Sequence, residues 1–243
     1  MKGAGRPVGA TQARRRDHPA DEETNGGLRL RKNQLNGARL LFQGGGFSII
    51  AIDQTSPWAF VKLAEKAALV ANRTLHSDKP DHVGQPGFSS YTFAYVFDAV
   101  CLLTVSTTIL RRVVGLMLLW PVARTAVVPV SDLGSNAAWE ALQWQDVPKP
   151  PSSLIVGADG RLQFPVPSRR GPAPRPLGVA FVWAAPRHRR HGIARTMYQV
   201  AHDNFRRGLP RMPLIPPFLP AGLAFAKSLA TDHVLVGEQV RGR

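Results

Sequence analysis

The chain has 243 residues, 44% of them hydrophobic, enough for one substantial domain with a real core. Lys and Arg number 31 against 16 acidic residues, a formal charge of +15, which favours a negatively charged ligand or partner: nucleic acid, a nucleotide cofactor or an acidic protein surface. The single cysteine, Cys101, excludes an internal disulfide and any zinc site built on several cysteines; in its apolar run it reads as a buried small hydrophobe.

Residues 1–33 are rich in Gly, Arg and acidic residues with few large apolar ones, and are expected to be a disordered basic tail. Arg14-Arg15-Arg16 reads as solvated tail, with a nuclear address or a phosphate contact as the alternatives. The first residues carry no hydrophobic signal core, and the longest uncharged apolar run, 99–110, is too short to span a bilayer. A soluble intracellular protein is therefore expected.

The ordered chain opens with two apolar runs, 38–42 and 47–52, around Gly44-Gly45-Gly46, which predict a β-hairpin. Ser56 as N-cap and Pro57 in the first turn predict a helix start. Trp58, Val61, Ala64, Ala68 and Ala71 carry that helix at helical spacing to about Leu75. Residues 91–107 read as a strand, Leu110-Arg111-Arg112 as a turn and 113–120 as the next strand, with Gly115 marking a bulge or a close backbone approach. From Pro121 to Pro176 the periodic signal is lost. A Pro/Arg-rich insertion at about 148–176 is expected there, with a small hairpin around 153–160. After a proline-rich stretch at 210–220, a short helix is expected at 222–229 and a last strand at 233–236.

The most informative stretch is 178–205. Val179, Phe181, Val182 and Trp183 have the composition of a buried strand, and Pro186 stops it. The loop Arg187-His188-Arg189-Arg190-His191-Gly192 follows. Then Ile193, Met197, Val200, Ala201 and Phe205 predict an amphipathic helix. Free N–H groups and the helix dipole make such a helix start an anion site, and Gly192 allows close approach of a phosphate. Arg189-x-x-Gly192-x-Ala194 resembles the pyrophosphate loop of the acetyl-CoA-dependent N-acetyltransferases of the GNAT superfamily. The alternative is an ordinary strand-turn-helix connection with a solvated basic turn.

Over residues 40–240 the chain resembles the acetyltransferase domain of the sister-chromatid cohesion establishment family, which acetylates lysines of the cohesin complex. SIIAIDQTSPWAFVKLAEKAALVANRTL is similar to that family's opening strand and helix, and RRVVGLMLLWPV to its Val-Val-Gly strand. AWEALQWQDVPKP is similar to its linker, and LGVAFVWAAPRHRRHGIARTM to its Trp strand and cofactor loop. HDNFRRG and PFLPAGLAFAKSL are similar to its later helix end and closing motif. The colinear order of these stretches carries the resemblance.

The resemblance implies an α/β (α+β) GNAT fold over 34–243, with a mixed, mostly antiparallel sheet flanked by helices. It implies acetyl-CoA as cofactor, a cohesin subunit as protein substrate with association to chromatin, and the nucleus as location. It places the pyrophosphate at Arg187, Arg189, Arg190, Gly192, Ile193 and Ala194, the pantetheine along the strand edge that includes Val182, Trp183 and Ala184, and Asn204 near the cofactor tail. The chain departs from the family in lacking a Cys/His zinc finger, in carrying Pro217 where an acidic residue is usual, and in carrying Ala180 where a small hydroxyl residue is usual. The base is therefore open among Asp146, Glu140, Asp203 and His233, each otherwise an ordinary surface charge. Tyr198 is a candidate donor to the leaving thiolate, with helix packing as the alternative. Two other classes remain: an acetyltransferase of the same fold acting on a small amine, and a non-catalytic basic module that binds nucleic acid.

Overall fold

The computed structural model describes residues 19–31, 33–53, 55–76, 99–108, 110–135, 139–147, 155–156, 162–163, 175–216, 218–229 and 232–239. In chain order these form helix α1 (Pro19–Gly26), strand β1 (Leu28–Arg29), strands β2 (Arg39–Gly44) and β3 (Phe47–Ile52), and helix α2 (Trp58–His76). Strands β4 (Val100–Ser106), β5 (Arg112–Pro129), β6 (Gln145–Asp146), β7 (Ile155–Val156), β8 (Leu162–Gln163) and β9 (Leu177–Ala184) follow. Helices α3 (Ile193–Phe205) and α4 (Pro220–Leu229) and strand β10 (His233–Gln239) complete the order. Eight of the strands form one sheet whose strand pairs are antiparallel, with parallel bridges only through Leu214. One face packs on α2 and the other on α3 and α4, the α+β class expected.

The hairpin β2–β3 turns at Gly45-Gly46, and β4 and β5 pair as the central antiparallel unit. The small β7–β8 pair lies where a hairpin is expected in the insertion. The part of the expected strand at 91–98 lies outside the described residues, as do residues 1–18 with their Arg14-Arg15-Arg16 run.

Strand β5 runs 18 residues, well past the expected end at Trp120. Its bonds show how Pro121 is accommodated. Val122 N–H bonds to Pro176 C=O on the β9 edge, and Val147 N–H bonds to Ala123 C=O on the other edge. By alternation, the missing N–H of Pro121 falls on that second edge, after β4 has ended its pairing at Leu119 and before β6 begins. No ladder bond is lost, so the proline does not break the strand.

Three further corrections come from the structure. Within the tail expected over 1–33, residues 19–31 carry α1 and β1, because Leu28 and Leu30 are buried and β1 pairs with the start of β5. Ser56 does not cap α2: its hydroxyl bonds to the Asp53 N–H (3.0 Å), and the Pro57 carbonyl accepts the first helical bond from Phe60 (2.8 Å). Trp58 is not part of the core stripe. At 100° per residue it lies on the side opposite Phe60, Ala64, Ala67 and Ala71, and it is exposed beneath Lys62.

Gly115 carries both features expected of it. The β4–β5 register shifts beside it, and a Cβ built there would lie 2.8 Å from Ile193 Cγ2 and 3.1 Å from Thr104 Cβ. The first residue of α3 thus rests directly on the β5 backbone. Gly115→Val should overpack this contact and lower the stability to urea by about 1–3 kcal/mol. An unchanged urea midpoint would show that α3 does not depend on the close approach.

Candidate functional site

Beyond Val179, strand β9 has one partnered edge and one free one. Ala185 N–H bonds to Val114 C=O, so Ala185, Trp183 and Phe181 turn their peptide groups toward β5. Val182 and Ala184 therefore present theirs at the opposite edge. Among the described residues, the one segment on that edge, 213–215, bonds at Val179 alone: Val179 N–H to Pro213 C=O and Ile215 N–H to Val179 C=O, both 2.8 Å. Ala180 is the extra residue of a bulge between Val179 and Phe181.

The free edge leads into the basic loop. Pro186–His188 form one 3-10 turn, and Arg190 and Gly192 then adopt left-handed backbone, φ 64° and 77°. Gly192 occupies the N-cap of α3, and a Cβ there would meet nothing within 4 Å, so the space above the helix start is open. Glycine at such a φ avoids the strain that a side chain would bring. The helix then buries Ile193, Met197, Val200, Ala201 and Phe205, the five positions expected from the spacing.

Edge, loop and helix start enclose a cleft of about 490 Å³. It is lined by Val182, Trp183, Ala184, Arg189, Arg190, Gly192, Ile193 and Ala194, eight of the ten cofactor-binding residues expected. The other two are not in its wall. Arg187 is exposed on the 3-10 turn. Asn204 lies at the far end of α3, about 18 Å along the helix from Gly192, and donates to the Val200 carbonyl (2.8 Å).

The second wall comes from α4, through Ala221, Gly222, Phe225 and Ser228. Sequence reasoning found this helix but not its role. The signal available was the spacing of small residues at 221, 222 and 228, which allows close approach on one face. Arg195, in the first turn of α3, joins the two walls by donating to the Ser228 carbonyl (2.8 Å) at the end of α4. A cation is favourable at that helix terminus.

The cleft is strongly cationic. Arg189, Arg190, Arg195 and His188 line it, and no carboxylate is among its lining residues. Arg189 Nε donates to the Ala184 carbonyl (3.3 Å), so this side chain lies across one of the free-edge groups. His191 Nδ1 contacts the Arg189 carbonyl (2.9 Å) and helps to hold the turn.

None of the expected proton-transfer groups lines the cleft. Asp146 sits on β6 opposite Arg124, at the edge of β5 away from β9. Glu140 and His233 are exposed, the latter at the start of β10. Asp203 is exposed and hydrogen-bonded to His202 and Gln199, which hold its carboxyl below the usual range. The Tyr198 hydroxyl donates to the Met212 carbonyl (2.9 Å), and its ring packs edge-on against Phe225. Burial raises its pKa, offset by the Arg211 charge, and its position fits packing. Pro217 lies outside the described residues.

No protein-family model matches the chain, and no curated protein matches it in sequence. Among solved structures, the chain is similar to the xEco2 acetyltransferase domain bound to a K105-CoA conjugate, at 18% identity and a TM-score of 0.49, over 84% of this chain and 99% of that one. It is similar to a second structure of the xEco2 acetyltransferase domain at the same identity and TM-score, over 84% of this chain and 98% of that one.

Burial, first, and then the charges of His191 and Arg112 lower the pKa of His188. The fold therefore favours its neutral form. That contribution is fully present above the unfolded value near 6.5 and is lost as pH falls from there toward the folded value. Urea midpoints at pH 7.5 and 5.0 should fall further apart in the parent than in His188→Gln. Equal differences would show that His188 is not the group that titrates.

Proposed function

We propose that the cleft binds acetyl-CoA and that the protein is an acetyl-CoA-dependent N-acetyltransferase. A single arrangement carries this reading. A free strand edge runs without interruption into a left-handed basic loop and the start of a helix, with cations on the walls and no carboxylate among the lining residues. The fit to the cofactor is specific in its parts. Val182 and Ala184 present peptide groups for the amides of a pantetheine arm. The open space above Gly192, the first-turn N–H groups of α3, and Arg190 and Arg195 suit a pyrophosphate.

When bound, acetyl-CoA supplies the acetyl group as an activated thioester. The chain's own contribution is to hold that group in place and to exclude water with the apolar wall of Val182, Ile193 and Phe225. Cationic and N–H groups near the helix start neutralise the ligand's charge. Acceptance of a proton from a lysine ammonium needs a base, and the cleft's lining residues supply no carboxylate for it.

As substrate we propose a lysine of a chromosomal protein, cohesin, in the nucleus. Support for this comes from the ordered run of family-like stretches in the sequence. The charge of +15 is compatible with a chromosomal setting.

Calorimetric titration with acetyl-CoA tests the cofactor. The parent should bind, and Gly192→Glu, which places bulk and negative charge where the pyrophosphate would lie, should weaken binding by at least about tenfold. Equal affinity would overturn the site assignment. Transfer to cohesin should exceed transfer to polyamines; the reverse would favour a small-amine enzyme. DNA affinity that falls steeply with salt, without any acetyl-CoA binding, would favour a nucleic-acid module instead.

Turnover should also respond to restoring a base. Pro217→Asp, alone or with Ala180→Ser, should raise kcat toward the about 10²–10⁴-fold typical of general-base help, with little change in acetyl-CoA affinity. No gain in a folded variant would mean that another group already accepts the proton.

A further inference from the structure

Helix α1 packs against the 3-10 turn at 186–188, whose His188 lines the cleft. Its eight residues are too few to be stable as an isolated helix, so the contacts at its ends decide whether it forms. It packs against α2 as well. Four contacts hold this segment there. Glu23 pairs with Lys66 of α2 at 3.7 Å. Leu30 N–H bonds to the Arg111 carbonyl (2.9 Å). Arg112, the first residue of β5, donates to the Gly27 carbonyl (3.0 Å) and to the Glu22 carboxylate.

Arg112 is the point where these parts converge. Its side chain is only 14% exposed, so it needs a partner for its charge, and Glu22, 54% exposed, supplies one. Its charge is also felt at His188, which lines the cleft. Within the turn the backbone is held by short-range bonds. Its backbone bonds are His188 N–H to Ala185 C=O (2.7 Å) and a longer one from Arg189 N–H to Pro186 C=O (3.3 Å).

We propose that α1 is a clamp on the basic loop, and that Arg112 and Glu22 are positioning residues for the anionic ligand although neither lines the cleft. With the clamp in place, the turn at 186–188 is held against the sheet edge, and Arg189, Arg190 and Gly192 keep the geometry that receives the anion. Without it, the turn must be ordered at the moment of binding, and affinity falls. The inference rests on the reading of the cleft as a diphosphate-ligand site, but the coupling between α1 and the loop can be read without any ligand.

Two variants test it: Glu22→Gln, at an exposed position that leaves the core untouched, and Arg112→Met. In hydrogen exchange on the unliganded protein, the His188 and Arg189 amides should exchange about tenfold faster in both, while the amides of Met197 and Ala201 inside α3 should not change. Acetyl-CoA affinity should fall about fivefold, with kcat at saturating acetyl-CoA within about twofold of the parent. Unchanged exchange at His188 and Arg189 in folded Glu22→Gln would overturn the clamp. A uniform rise through α3 would also overturn it, because that marks general destabilisation. Faster exchange at the turn in the variants, with a parent that does not bind acetyl-CoA, would support the clamp and sink the cofactor assignment instead.

Discussion

One edge of β5 has to serve three strands, β1 at Arg112 and Val113 and then two longer ones. Strand β9 occupies it from Gly115 to Pro121 and β10 from Val122 to Pro129, both antiparallel to β5 and so parallel to each other. The segment around Leu214 enters between them, bonded to Val179 on one side and to Leu235 and Gly237 on the other. This wedge fixes the rest. On the loop side of Val179 no strand can follow β9, so its peptide groups at Val182 and Ala184 remain at an open edge. The cleft is the space that the fork leaves.

Close packing turns that space into a site of defined chemistry. Ile193 rests on the backbone of Gly115, which sets the start of α3 over the β5 strand rather than away from it. The helix start therefore delivers its unpaired N–H groups beside the free edge. Arg195 closes the second wall through Ser228, and the small residues of α4 let it come near. Several cations with no carboxylate in the lining make a positive field that an anion satisfies. His188 resists protonation chiefly because it is partly buried, with the charges of His191 and Arg112 adding to that effect.

The N-terminal segment extends the same logic. Short elements such as α1 and β1 have little stability of their own, and they persist because a nearly buried guanidinium requires their carboxylate and carbonyl. A group at the first residue of the central strand thereby links sheet, N-terminal helix and basic loop.

Much of this was legible in the sequence for a physical reason: local elements announce themselves through periodicity and turn chemistry. The hairpin around Gly45-Gly46, the five buried positions of α3 and the role of Gly115 follow from spacing and residue type, and the family resemblance pointed to Val182, Trp183, Ala184, Arg189, Arg190, Gly192, Ile193 and Ala194, which line the cleft. What depended on distant partners was not. Pro121 reads as a strand breaker, and only the change of neighbours on one edge of β5 makes it harmless. The tail appears too polar to fold until Arg112, more than eighty residues away, is brought to Glu22 and Gly27. Trp58 is an apolar residue at the start of α2, yet helical rotation sets it opposite Phe60, Ala64, Ala67 and Ala71, and it is exposed. Asp146 and Asn204 have suitable chemistry, and the topology set them away from the cleft. The sequence by itself determined which segments form strands and helices and where the basic loop falls, because those rest on neighbouring residues. Only the tertiary structure decided which edge stays open, which helix forms the second wall and which charges meet, because those depend on contacts between residues far apart in the chain.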